Sequence, residues 1–306
     1  MDEPARLDVN VVTAMVQRDP IVIARLLQIV NSAYYGLQRK VESAERAVVL
    51  LGPVAVTGIV MGMNMLKLRS ALQGPAAQTF VHLIRHSLAT AFMARHLVEG
   101  APRGNLKNYG RPRNGRLGAG FTAGLLHDFG KIILAYNRPE QAAALYSKQK
   151  LETQLMAEDP RVMERLTLGY DHTQAGEFVA VKLGFPDTLT RVIRYHHEYE
   201  REDLSDLDEE TKRLLRIVAA SNLIVKSMGF DVGDPVSWNE VAEDPLWEEI
   251  FSLHLIRQPS LETLQAELVE VRPHMETYVN NLASATMPTE PVVVPQNRQH
   301  FHRVRY

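Results

Sequence analysis

The sequence has no cysteine. That excludes disulfides, thiolate metal sites and cysteine nucleophiles, so any bound metal must take nitrogen and oxygen ligands. Charge imbalance is nearly absent too: 34 Lys and Arg stand against 36 Asp and Glu, a formal charge of −2. Such a balance gives no global attraction to nucleic acid or to an anionic membrane. The start, Met1-Asp2-Glu3-Pro4-Ala5-Arg6, lacks a basic segment followed by an apolar one, which predicts a chain without a secretory signal. There is no apolar run of about 18 residues. The richest stretch, Val48 to Met65, is interrupted by Gly52, Pro53, Thr57, Gly58, Gly62 and Asn64. A soluble cytoplasmic protein with no membrane partner is the expectation.

What the chain does contain is organised around Phe121 to Leu134, where His127-Asp128-Phe129-Gly130-Lys131 interrupts an otherwise apolar, helix-length run. An imidazole and a carboxylate buried side by side need either a hydrogen bond between them or a shared cation. The dipeptide alone leaves both readings open. Seven of the eleven histidines, His82, His86, His96, His127, His172, His196 and His197, fall between residues 82 and 197. His82 and His86 share a helix face, and His96 lies about a quarter-turn off it. His172 follows a helix-start Asp171, and His196-His197 closes a helical segment. Separate helices could thus aim imidazoles at one point.

Helical punctuation dominates and β-type alternation is scarce. Asp19-Pro20 and Asp159-Pro160 are helix starts, with Asp as N-cap and Pro as first helical residue. Asn31 to Gly36 reads as a helix exit, with Gly36 a left-handed terminal residue. Gly52-Pro53 separates helices at Ser43–Leu51 and Pro53–Leu68. Met61, Met63 and Met65 are read as core filler before an adaptable partner surface. A helix over 76–99 carries His82 and His86. The Gly-, Pro- and Arg-rich stretch 100–120 reads as a loop, a solvated linker before an anion-binding one. Asp171 with Gln174 forms a capping box. Two consecutive histidines, His196 and His197, face one point only where the helix unwinds, and Glu198 could orient one of them. A heptad-like helix spans Leu261 to Leu282, and 288–306 reads as a mobile terminus. With 306 residues, 45% of them hydrophobic, the chain can bury a substantial core.

The ordered H, HD, H, HH series resembles the HD superfamily of metal-dependent phosphohydrolases. A second set narrows this: Asp19-Pro20 with Arg25-Leu26-Leu27, Val30-Asn31-Ser32-Ala33-Tyr34-Tyr35-Gly36, Ala47 to Gly52, and Leu125-Leu126-His127-Asp128-Phe129-Gly130-Lys131. Together with Tyr170-Asp171-His172 and Tyr195-His196-His197-Glu198 it resembles the HDOD family, over roughly residues 8 to 230. The resemblance implies an all-α, HD-like helical bundle of two packed lobes. The division expected is an N-terminal lobe 1–75, an HD-like core 76–230, C-terminal helices 231–287 and the tail 288–306.

The same resemblance implies a bacterial signal-transduction module that acts on a signalling protein partner, with a nucleotide as the other ligand class. Nucleic acid ranks last, resting only on the basic residues of 103–116. By motif position His86, His127, Asp128, His172, His196 and His197 are metal ligands, His82 is a further candidate, and Lys131 is a phosphate contact. The cofactor would be a divalent Mn, Fe, Zn or Mg. Departures are equally specific. Asn222 stands where the active phosphodiesterases carry a last aspartate, His82 where some carry a glutamate, and Tyr199-Glu200-Arg201-Glu202 where they carry Gly-Tyr-Pro. A regulatory module is therefore placed ahead of a metal-dependent phosphohydrolase, and no catalytic residue is assigned.

Overall fold

In the computed structural model the described residues are 9–32, 35, 37–99, 117–146, 159–199, 204–231 and 235–283. Among them every regular element is helical. The first four helices are α1 (Val9–Val16), α2 (Pro20–Val30), α3 (Ala44–Leu51) and α4 (Pro53–Leu68). Asp19 caps α2 by accepting from Ile21 N at 2.9 Å and Val22 N at 3.3 Å, with Pro20 inside the first turn. Gly52, at φ +82°, permits the reversal between α3 and α4. Asn31 ends α2 and binds both backbone groups of Val41, donating to its carbonyl at 2.8 Å and accepting from its N–H at 2.7 Å. Gly36 lies outside the described residues. Met63 and Met65 are core residues, with Met61 packed against them.

The long α5 (Gly74–Glu99) is the central rod, about 39 Å at 1.5 Å per residue. It begins two residues before the expected start. Around it pack α6 (Leu117–Leu126), α7 (Phe129–Asn137), α8 (Pro139–Tyr146), α12 (Glu209–Val225) and α15 (Leu261–Ala283). Between α8 and α12 lie α9 (Pro160–Leu168), α10 (His172–Lys182) and α11 (Asp187–Tyr195). The short α13 (Trp238–Glu243) and α14 (Leu246–Ser252) precede α15. One apolar core runs from Val12 in α1 to Leu282 in α15, and a smaller one joins α6, α11 and α12 through Ala123, Val192, Leu215 and Val218. No single helix among the described residues is long and apolar enough to cross a membrane.

Two sequence expectations are corrected. Residues 117–120 are not loop but the first turn of α6. Within the same helix, a Cβ on Gly120 would make ordinary contact with α5, 3.5 Å from the Ala94 carbonyl, whereas one on Gly124 would lie only 2.8 Å from that of Thr90, so Gly124 is what the close packing of α6 on α5 requires. The rest of the expected loop, 100–116, and the expected mobile terminus lie outside the described residues. Nor does one helix run through the His127-Asp128 pair. It breaks there, α6 ending at Leu126 and α7 starting at Phe129.

Candidate metal centre

The break is what aims the two side chains. As α6 ends, the His127 ring turns back and its Nδ1 donates to the Gly124 carbonyl at 2.8 Å. Asp128 takes non-helical dihedrals (φ −95°, ψ 22°) at the N-terminal boundary of α7 without a side-chain capping bond, which leaves its carboxylate to face the histidines. From α5, His86 Nδ1 donates to the Phe230 carbonyl at 2.7 Å, a group supplied by the π-turn Lys226–Phe230 after α12. The capping box at Asp171 and Gln174 sets the entry of α10 and places His172 at its first residue. At the far end of α11 the chain leaves the helix at His196, whose Nδ1 donates to the Ile193 carbonyl at 3.0 Å. The unwinding lets His197 face the same point as His196.

Six side chains thereby converge. His172 Nε2 lies 3.3 Å from His196 Nε2 and 3.2 Å from His197 Nε2. Asp128 Oδ1 lies 3.4 Å from both His172 Nε2 and His196 Nε2. On the other side of the carboxylate, Oδ2 is 3.5 Å from His86 Nε2 and 3.4 Å from His127 Nε2, and those two nitrogens are 3.3 Å apart. Asp128, His86, His127, His172 and His196 are at most 2% exposed.

Do these residues suit a metal ion? A carbonyl or carboxylate oxygen only accepts, so the protons of His86, His127, His172 and His196 sit on Nδ1, which leaves every Nε2 a bare lone pair. Lone pairs that face one another around a buried carboxylate repel unless a cation lies between them. Asp128 Oδ1 makes no hydrogen bond at all. Donors about 2.1 Å from one tetrahedral ion stand about 3.4 Å apart, which is the observed spacing. The site therefore fits an ion with nitrogen and oxygen ligands. The donors fall into two groups that share Asp128: one with His172, His196 and His197, the other with His86 and His127.

The charges agree with this reading. Burial pushes His86 and His196 below the ordinary imidazole range, and His127 and His197 well below it, with Asp128 offsetting only part of the effect. Burial pushes Asp128 up, but Lys131 and the surrounding imidazoles outweigh it and hold the carboxyl well below its usual range. In the metal-free protein these lowered histidine values make the unfolded chain the better proton acceptor once pH falls below about 6.5. Their stabilising contribution is complete above that pH and is lost as pH drops. We expect metal-free stability to decline steeply from about pH 6.5 toward pH 5.5, by up to about 1.4 kcal/mol per pH unit for each such histidine. Denaturant titrations at several pH values check it; a flat profile would mean that the imidazoles titrate alike in both states.

The remaining sequence candidates lie around the centre or away from it. Lys131 is buried and its ammonium donates to Asp128 Oδ2 at 3.0 Å. Asn222 sits on α12, its Oδ1 buried without a hydrogen-bond partner. His82, half-buried, belongs to neither donor group. It lines a cavity of about 710 Å³ together with Arg85, His86, Phe230 and Arg272. His96 packs toward α15, 3.5 Å from Glu267, where burial lowers it to about 4. Glu198 pairs with Arg161 at 3.1 Å.

The carboxylate found on a histidine of the cluster is instead Glu164, which the sequence reading missed. It is fully buried on α9 and takes the His172 Nδ1–H at 2.7 Å, the His172 backbone N–H at 2.7 Å and the Tyr146 hydroxyl at 3.0 Å. Nothing local in Pro160 to Leu168 marks one glutamate of an amphipathic helix as interior.

The chain matches the HDOD domain over residues 2–199 and belongs to that family. Its fold is like that of an HDOD domain protein of unknown function from Geobacter sulfurreducens, with a TM-score of 0.66 and 19% identity over 92% of this chain and 88% of that one. A Marinobacter aquaeolei VT8 protein, whose name provisionally assigns it to signal transduction, matches at TM-score 0.54 and 21% identity, over 92% of this chain and 56% of that one. An uncharacterized protein of Treponema pallidum (strain Nichols) is 22% identical over 218 residues, 70% of this chain. The chain spans 37% of the length of that curated relative.

Proposed function

We propose that this protein is a signal-transduction module in which the helical bundle is built around a bound divalent transition metal and transmits a state to a protein partner without turnover. The observation that carries this reading is the burial of the donor set. Asp128, His172 and His196 are at most 2% exposed and, with His197, offer a complete set of four donors. Sites saturated by protein ligands hold structure, whereas catalytic sites keep a position open.

His86, His127, Asp128, His172, His196 and His197 would hold the metal. When bound, such an ion supplies Lewis acidity and lowers the pKa of coordinated water. The chain's own groups do the rest. Backbone carbonyls fix three of the rings, Glu164 fixes the fourth, and Lys131 balances Asp128. Because these contacts come from α5, the α6–α7 break, α10, α11 and the π-turn, any displacement of one helix is felt by the others.

The second reading is a metal-dependent phosphohydrolase. It is favoured by the three-donor group His86, His127 and Asp128 and by the cavity beside His86 with its two arginines. The metal-loaded full chain, assayed against cyclic dinucleotides, nucleoside phosphates and a chromogenic phosphodiester, is expected to show no hydrolysis above a His127→Ala/Asp128→Ala control. Turnover that disappears in that control would establish the second reading in place of the first.

A further inference from the structure

We infer that the two halves of this centre are unequal by construction: Glu164 and Lys131 make the position at Asp128 Oδ1, His172, His196 and His197 tight, and the position at Asp128 Oδ2, His86 and His127 weak, so that a first ion is held tightly and a second only weakly. The inference rests on the metal-binding reading above and adds positioning roles for two residues that are not themselves ligands.

Three observations carry it. First, the oxygens of Asp128 are in different states. Oδ1 makes no hydrogen bond, so its lone pairs are free for an ion, while Oδ2 already accepts from the Lys131 ammonium at 3.0 Å. A cation entering beside Oδ2 meets a fixed positive charge and shares a carboxylate oxygen already occupied.

Second, the rings are not backed alike. His86, His127 and His196 each lean on a neutral backbone carbonyl. His172 alone among these leans on an anion, Glu164, which the Tyr146 hydroxyl and the His172 backbone N–H hold in place. A carboxylate on the outer nitrogen makes the inner one a stronger donor and adds a buried negative charge near the ion.

Third, the donor counts differ. The Oδ1 side offers four donors and the Oδ2 side three. Asn222, on α12, is neutral and supplies no compensating charge. The side with the open coordination position is thus the one that the protein's charges disfavour.

The test is stepwise metal binding by the full-length chain, stripped with chelator and titrated with cobalt(II) or zinc, with bound metal measured after equilibrium dialysis. Wild type is expected to bind one ion tightly and a second more weakly. Glu164→Gln should weaken the first step by about 10–100-fold and leave the second unchanged. Lys131→Met should do the reverse, strengthening the second step alone, so the inference remains testable even where Glu164→Gln fails to fold. With cobalt the first equivalent should give the intense visible absorption of a four-coordinate ion. Two equal steps in wild type, or a Lys131→Met protein whose second step does not tighten, would overturn the inference while leaving metal binding intact. No metal above the His127→Ala/Asp128→Ala control would remove the underlying reading as well.

Discussion

Replacing Gly130 by alanine, a change of one methyl group, is expected to abolish folding or to cost more than about 4 kcal/mol, which is exceptional for a single substitution. A Cβ at this position would stand 1.8 Å from the His172 carbonyl oxygen, 2.7 Å from its carbon and 2.9 Å from Gly176 N. All three are backbone atoms, so no side-chain rotation relieves the clash. Relief requires α7 and α10 to separate, which draws His172 off Asp128. The damage should therefore appear twice, as a lost melting transition and as lost metal. Gly58→Ala is the comparison: its nearest neighbour is the Phe121 ring edge at 3.0 Å, a side chain that can shift. A Gly130→Ala protein that is soluble and melts like wild type would mean that α7 and α10 do not meet backbone to backbone.

Removing His127 and Asp128 together by alanine substitution should eliminate metal binding and, with it, the roughly 5–10 °C by which the ion raises the melting temperature. An ion at a hundred times its dissociation constant, bound only by the folded state, stabilises it by about 2.7 kcal/mol, and in domains of this order each kcal/mol moves the midpoint by about 2–4 °C. A further loss is expected in the metal-free comparison, because Lys131, only 4% exposed, loses its 3.0 Å contact with the Asp128 carboxylate. Breaking a buried pair by removing one partner costs about 3–5 kcal/mol. His96→Ala separates this from general core damage: His96 is fully buried but lies toward Glu267. That variant should lose stability and keep its metal. Should the double variant retain metal at wild-type stoichiometry, Asp128 is not the group on which the donors converge.

Much of this was legible in the sequence because it is locally encoded. Asp19-Pro20 and Asp159-Pro160 are helix starts, and Asp171 with Gln174 closes a reciprocal cap. Each depends on neighbours three or fewer residues away. The convergence of His86, His127, Asp128, His172, His196 and His197 could be drawn from motif order, but not from the spacing of any one segment. The break between His127 and Phe129 was hidden because the flanking residues are apolar on every side, as in a buried helix. Glycines at 118 and 120 read as loop formers, yet both lie in the first turn of α6, and Gly124 serves its close approach to α5. Glu164 and Tyr146 were invisible for a different reason: a carboxylate and a phenol meet across 18 residues, and only the packed structure turns a surface-type glutamate into the fully buried partner of a histidine.

In a chain without cysteine, this centre is a candidate means of stapling distant segments. Asp128 stands 44 residues before His172, and His172 and His196 are 24 apart, so an ion held by Asp128, His172 and His196 would close two long loops at once. Ties of that length restrict the unfolded chain by about 3–4 kcal/mol in loop entropy, the scale of a disulfide. Unlike a disulfide, this tie contains no bond that reduction breaks, and it would release when acid protonates the rings or a chelator takes the ion. The bundle would then lose the link between the α6–α7 break, the start of α10 and the end of α11, so that cohesion of the fold would follow metal supply and proton concentration.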